Sequence, residues 1–329
     1  MNVLGIETSC DETSAAVVEN GRRVFSNVVS SQLDLHRRFG GVVPEIASRA
    51  HLESIDNIVK AALEDAGKSI DEISGVAVTR GPGLIGALLV GISYAEGLSE
   101  ARKIPLAGVN HLHAHLYANM MSNQKIKMPF VGLLVSGGHT VLCIVEDVGK
   151  YNFLGTTVDD AAGEAFDKIA KLLELGYPGG PVIEKAAEKG DPNFVRFPRA
   201  RVKKSPYFFS FSGLKTAVLY YVKKTKTLSR HIEDVAASFQ EAVVDSLIEK
   251  SLAAADDCKI KRLVVGGGVS CNRRLREKLC LSGKKQGIEV FFPSLELCTD
   301  NAAMIAGIGF ELLKKGKCGP FNPDPNLKL

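Results

Sequence analysis

Residues 110–116 read NHLHAHL, three histidines in five positions. Imidazole is the commonest protein metal ligand, so this density points first to a bound ion. If a helix begins here, His111 and His115 differ by about 40° around its axis and share a face, while His113 points roughly opposite. Two imidazoles one turn apart can hold one metal ion. A metalloprotease of the H-E-x-x-H kind needs a glutamate directly after the first histidine as general base, and Leu112 stands there instead. Three ligands leave coordination positions open for a substrate, and mixed histidine and carboxylate donors suit zinc or ferrous iron alike. A third candidate ligand, Asp300, precedes an alanine-rich stretch, where an aspartate ordinarily caps a helix.

The elements that must position these groups repeat along the chain. VLGIE, the turn TSCDE and TSAAVVE read as two strands, the second ending at the two-residue hairpin turn Asn20-Gly21. Shifted by 127 positions, GIETSCDETSAAVVE at 5–19 lies without gaps on GLLVSGGHTVLCIVE at 132–146. Gly5, Ser9, Thr13, Val18 and Glu19 then meet Gly132, Ser136, Thr140, Val145 and Glu146. The order that follows repeats too. A third strand, a helix from Pro44 to about Asp65, a strand ISGVAVT, an apolar helix, a strand PLAGV and the histidine helix make the first copy. YNFLGTTV, the helix DDAAGEAFDKIAKLLELG, the strand RLVVG, the helix NRRLREKLC, the strand IEVFF and a helix opening at TDNAAMIAG make the second. The expectation is an α/β chain of two lobes, 1–126 and 127–329, each β-β-β-α-β-α-β-α. The second carries a basic insertion at about 176–230, and its last helix is free to pack back on the first lobe. Pseudo-twofold symmetry then brings the helix starts at His111 and Asp300 to one cleft between the lobes, where Asp300 completes a His-His-Asp set.

The same duplication suggests an anionic ligand in that cleft. Two hairpin turns with Ser9 and Ser136 offer hydroxyls and backbone amides suited to phosphate. Ser136, Gly137 and Gly138 permit close backbone approach. The loop VVGGGVSCN, with Gly267 and Asn272, offers glycines against which a base or ribose can lie and an amide to bond it. Three such loops at the carboxyl ends of strands in one architecture read as a nucleotide site.

The strings GIETSCDETS, HLHAHLYA, LLVSGGHT, DDAAGEAFDK, GYPGGP, FSFSGLKTA, GGGVSCNRRLR and TDNAAMIA, in that order over nearly the whole chain, resemble the TsaD family in its bacterial and organellar branch. The duplicated halves resemble the wider actin, Hsp70 and sugar-kinase (ASKHA) superfamily. One departure from that superfamily is Glu7, where its kinases usually place an aspartate. The resemblance implies a duplicated actin-like fold and transfer of the threonylcarbamoyl group from threonylcarbamoyl-AMP to N6 of adenosine 37 in tRNA, releasing AMP. It assigns one divalent ion, Fe2+ or Zn2+, to His111, His115 and Asp300. It places Leu134, Val135, Ser136, Gly137, Gly138, Asp167, Gly180, Glu184 and Asn272 against the adenylate, a site that ATP or AMP also fits. Asp11 and Glu12, in the first turn, are the nearest candidates to accept a proton or orient the amine. The implied partners are tRNA, a TsaB-like paralogue, a TsaE-like ATPase and a TsaC-like enzyme that supplies the adenylate. The alternatives on the residues alone are a metal-dependent glycoprotease, an ATP-dependent small-molecule kinase of the same fold, and a nucleotide-dependent scaffold.

Bulk properties agree with this reading. The chain has 329 residues, 45% hydrophobic and 24% charged, with a net charge of +4. From Arg196 to Arg230 there are ten Lys/Arg and no Asp/Glu, with Phe197, Tyr207, Phe208, Phe209, Phe211, Tyr220 and Tyr221 interleaved. That composition suits phosphates and splayed bases, so this segment is expected to face RNA. The seven cysteines are scattered without a C-x-x-C pair, as in a protein with reduced thiols. The most apolar stretch, GALLVGISYAEGL, is short and broken by glycine, so the expected location is cytoplasmic, with no membrane partner.

Overall fold

The asparagine and glycine at positions 20 and 21 both adopt positive φ, 49° and 71°, as the tightest hairpin turn requires. They join β2 (Glu12–Glu19) to β3 (Arg23–Ser31), and β2 in turn pairs antiparallel with β1 (Asn2–Glu7). The computed structural model describes residues 1–37, 39–225 and 228–329. Lys226 and Thr227, in the basic insertion, lie outside the described residues.

The first copy continues through α1 (Leu33–Arg37), α2 (Pro44–Asp65), β4 (Gly75–Gly81), α3 (Ile85–Arg102), β5 (Leu106–Asn110) and α4 (His111–Ser122). The second contains β6 (Phe130–Val135), β7 (Thr140–Asp147), β8 (Lys150–Thr156), α5 (Ala162–Leu172), α6 (Gly179–Ala187), α7 (Ser212–Lys224), α8 (Ile232–Asp257), β9 (Arg262–Gly266), α9 (Arg273–Lys285), β10 (Glu289–Phe291) and α10 (Ala302–Lys314). The helix read from Pro44 spans those residues, its proline at the first helical position where no amide is needed.

Two five-stranded sheets have the same plan, β3-β2-β1-β4-β5 and β8-β7-β6-β9-β10. The repeat extends to register. Gly5 faces Ala16 and Ala77, while Gly132 faces Cys143 and Val264. In both sheets the central strand pairs antiparallel with its hairpin partner and parallel with the strand on its other side.

The chain divides into two compact units. One contains Met1–Lys125, Val148–Lys150 and Pro293–Leu329; the other contains Ile126–Asp147 and Tyr151–Phe292. Residues 293–329 therefore return to the first unit, and α10 packs on β1, β2, β4 and α4. Gly5 makes this possible, because a Cβ there would collide with the Ala302 carbonyl and the Ala306 amide. The second unit is organised around α8, a 26-residue helix buried over most of its length. Its apolar cluster includes Phe166, Phe209, Phe211, Phe239 and Leu247. The sequence reading places no helix between the insertion and β9, since a helix buried on nearly every side carries no strong periodicity.

None of the seven cysteines forms a disulfide. Among the described residues no helix is long and apolar enough to cross a membrane.

Candidate metal centre

The helix start at His111 is defined by Asn110, whose side-chain oxygen accepts from the backbone N–H of Leu112 at 2.9 Å and of His113 at 3.4 Å. From this first turn His111 and His115 present their Nε2 atoms 3.1 Å apart. Asp300 Oδ1 lies 3.1 Å from His115 Nε2 and 3.4 Å from His111 Nε2. Asp300 is not the cap of α10. Its neighbour Asn301 is, accepting from the Met304 N–H at 3.0 Å, which leaves the aspartate free to face the histidines. Ser14 Oγ accepts from the Ala302 N–H at 2.9 Å, fixing this turn against β2.

All three donors belong to the first unit. The duplication argument drew the carboxylate from the second lobe; the chain instead carries it back to the unit that bears the histidines, the return allowed for its last helix. The reason is the fit of α10 over Gly5.

A regular tetrahedron with metal–ligand arms of ~2.0–2.1 Å has edges of ~3.3–3.4 Å. The three donor separations are close to that, so the residues fit a divalent ion. His113 lies outside this group of donors, as helical spacing predicted, and burial lowers its imidazole to about 3.

Behind His111 stands Glu7, fully buried at the end of β1. Its Oε2 lies 2.8 Å from His111 Nδ1 and accepts from Thr79 Oγ1 at 2.8 Å, and its Oε1 accepts from the Ser9 N–H at 2.5 Å. A carboxylate on the far ring nitrogen orients an imidazole ligand and fixes which nitrogen carries the proton. Sequence reading noted Glu7 only as a departure from kinases. The signal available was an acid directly after the apolar run Val3–Ile6 of one strand.

Electrostatics follow from this packing. Burial would lower the His111 imidazole, but the charges of Asp300 and Glu7 outweigh it and hold it well above its usual value. Burial would raise the Asp300 and Glu7 carboxyls, yet His111 brings both below theirs. His115 is lowered, chiefly by burial. Burial, then the charges of Asp300 and Asp11, push the Glu12 carboxyl up to about 9. That shift favours the protonated form of the Glu12 carboxyl.

The Ser9 turn serves this centre. Its N–H is committed to Glu7, its hydroxyl lies 3.3 Å from His111 Nδ1, and its carbonyl accepts from the Leu84 N–H at 2.8 Å. The expected phosphate-binding amide at Ser9 is therefore spent inside the protein.

The remaining candidates gather in the second unit. Leu134 and Val135 are core residues of β6 with no exposed surface. The Ser136 hydroxyl accepts from the His139 N–H at 3.1 Å, closing a turn on which Gly137 and Gly138 are exposed with open space where a Cβ would stand. Gly267 adopts φ +92° and abuts the Val135 carbonyl so closely that any side chain would collide. Asp167, on α5, accepts from the Gly179 N–H at 2.6 Å, and burial raises its carboxyl. Gly180 has open space at its Cβ position. Glu184 accepts from the Arg273 N–H at 2.6 Å, beside Asn272. Asn272 caps α9 through the Leu275 N–H at 2.9 Å and donates to Gln240 Oε1 at 2.7 Å. Its amide, expected to read a base, first holds the loop together.

The basic segment divides. Phe197, Phe209 and Phe211 are core, contrary to the expectation that they face RNA, while Tyr207, Phe208 and Tyr221 are half-buried, Tyr207 donating to Asp257. Only a large apolar core could bury that many rings, and α8 supplies it. Lys215 and Arg199 pair with Asp160 and Asp245 at 2.6 Å. Arg196, Lys203, Lys204, Lys223 and Lys224 are exposed, as is Tyr220 at 60%.

The duplicated sheet plan is that of the actin-like ASKHA fold. Similar solved structures include an activator of 2-hydroxyisocaproyl-CoA dehydratase from Clostridium difficile with bound ADPNP, at TM-score 0.55 and 14% identity over 96% of this chain and 97% of that one. Full-length HypF in its phosphate- and nucleotide-bound form matches at TM-score 0.62 and 14% identity, over 95% of this chain and 46% of that one. Within that fold the sequence is specific. The family model described as TsaD, tRNA N6-adenosine threonylcarbamoyltransferase, matches residues 23–307. Proteins of that name from Thermosipho africanus and Clostridium beijerinckii are 53% and 51% identical, covering 100% and 99% of this chain and 100% and 98% of their own lengths. The chain belongs to the TsaD family.

Proposed function

We propose that this chain, a tRNA N6-adenosine threonylcarbamoyltransferase by family, uses threonylcarbamoyl-AMP as donor and one divalent ion, Zn2+ or Fe2+, held by His111, His115 and Asp300. The observation that carries the ion is the convergence of three donor atoms at 3.1–3.4 Å with Glu7 bonded behind His111. When bound, the ion supplies charge stabilisation for a phosphate or a polarised acyl oxygen. The chain's own residues do the rest. Glu7, Thr79 and Ser9 orient His111. Asp11 is the candidate acceptor for the proton lost from the adenine amine, and Glu12, in its protonated form, is a candidate donor. The exposed backbone at Gly137 and Gly138 and the half-buried one at Gly180, with Gly267 behind, suit the adenylate, and Asp167 suits its ribose. Exposed Lys203 and Lys204 suit tRNA phosphates. A TsaB-like paralogue, a TsaE-like ATPase and a TsaC-like supplier are the partners that membership implies.

The test is transfer from labelled threonylcarbamoyl-AMP to unmodified tRNA. Chelation and His111→Ala should each abolish transfer, and Zn2+ or Fe2+ should restore only the chelated wild type. Lys203→Glu with Lys204→Glu should weaken tRNA binding about tenfold and flatten its salt dependence, with adenylate binding intact. Full transfer in the presence of chelator removes the ion from the reaction, and unchanged tRNA affinity removes the two lysines from the interface.

A further inference from the structure

Asn110 uses both ends of its amide. The oxygen caps α4, and Nδ2 donates to the carbonyl of Lys328 at 2.8 Å, so the residue before the first candidate ligand is tied to a segment 218 positions away. That segment, residues 319–329, has no regular secondary structure, yet it follows β5, the edge strand of its sheet, from end to end. The Gly319 N–H donates to Leu106 O at 3.1 Å, and the Phe321 ring covers Gly108, where a Cβ would come within 2.8 Å of it. The path then crosses the end of β4. The Asp324 N–H donates to Arg80 O at 2.8 Å, and Pro325 O accepts from the Gly83 N–H at 3.3 Å. Gly81, at φ +153°, would clash with the Asp324 carbonyl if it carried any side chain.

The points gripped are those that position the metal centre. Arg80 follows Thr79, the donor to Glu7. Gly83 packs on Ser9, and its neighbour Leu84 bonds the Ser9 carbonyl. Asn110 starts the helix that presents His111 and His115. An edge strand needs cover against aggregation, and any chain segment can provide it. Cover alone does not need an amide shared between the segment and the helix cap.

We infer that residues 319–329 are a strap that positions the His111–His115–Asp300 centre, with Asn110 as its point of attachment. This rests on the metal reading above. Asn110→Ser keeps a good helix cap and neutral charge but is too short to hold Lys328. Phe321→Ala loosens the same segment at a distance from the ligands. The experiment measures Zn2+ affinity by competition with a chelating dye, the visible spectrum of the Co2+ form, and the thermal midpoint in EDTA. Asn110→Ser should weaken Zn2+ binding about tenfold and Phe321→Ala several-fold, with an altered Co2+ spectrum and midpoints in EDTA within a few degrees of wild type. Should Asn110→Ser fail to fold, Phe321→Ala carries the comparison. Wild-type Zn2+ affinity and Co2+ spectra in the variants, with or without a lower midpoint, reduce the segment to an edge cover and overturn the strap alone. A wild type that binds neither ion overturns the metal reading and the strap with it.

Discussion

Glu7 shows how one buried charge can organise a site. It has no exposed surface, and an isolated carboxylate there would be strongly disfavoured. Three partners, His111, Thr79 and the Ser9 amide, offset that cost and fix the rotamer. Glu7→Gln keeps the shape but replaces one acceptor oxygen with a donor, which either opposes the Ser9 N–H or frees His111 to rotate and change tautomer. Zn2+ affinity should fall about 10- to 100-fold while the fold persists, as titration against a competing chelator would report. Unaltered affinity would show that His111 needs no partner on its far side. Spacing made the histidines legible, because helical period alone puts His111 and His115 on one face. Asp300 reads as a helix cap, but that role falls to its neighbour Asn301, which accepts the Met304 bond. Ser9 and Asn272 were legible as polar turn residues, yet their bonds go first to the protein, which depends on contacts remote in sequence.

At the scale of elements, α10 decides whether the centre forms. Asn301 caps it, Ser14 and Asn27 accept from the N–H groups of Ala302 and Ala303, and Gly5 lets its first turns rest against β1. Gly5→Ala forces a methyl into the backbone of Ala302 and Ala306. The helix must shift, and overpacking of this kind costs about 1–3 kcal/mol. We expect a lower urea midpoint together with weakened Zn2+ binding, because Asp300 rides on the displaced helix. Lost stability with retained affinity would separate α10 from the centre. The hairpin at Asn20-Gly21 and the helix from Pro44 were legible because their signals are local: positive φ in one case, a missing amide in the other. Helix α8 and the rings of the basic segment were not, since Phe209 and Phe211 find their partners in a core assembled from distant elements.

For the molecule as a whole, the two sheets share one plan, and each unit packs its own helices on its own sheet. In the second unit a charged network joins α8 to α9. Arg274 grips Glu241 through two bonds of 2.8 and 2.9 Å, Lys278 bridges Glu241 and Asp245, and Arg199 reaches Asp245 at 2.6 Å. Burial would raise the Glu241 carboxyl, but bonds from Arg274 and Lys278 prevail and bring it down to about 2, against an ordinary 4.5. A carboxyl lowered on folding adds stability that is complete above its unfolded value and fades as acid protonates it. Glu241 should therefore stabilise the protein fully above pH ~4.5 and lose that effect as pH falls towards 2. Glu241→Gln keeps the volume and removes the charge. The variant should be about 1–2 kcal/mol less stable at pH 7, the scale of bonds to a charged group at a partly screened site. The gap to wild type should narrow through pH 4 and 3. Urea unfolding followed by far-UV circular dichroism measures it, since the chain has no tryptophan for fluorescence. A gap of constant size from pH 7 to pH 3 would mean that packing, and not the charge on Glu241, ties α8 to α9.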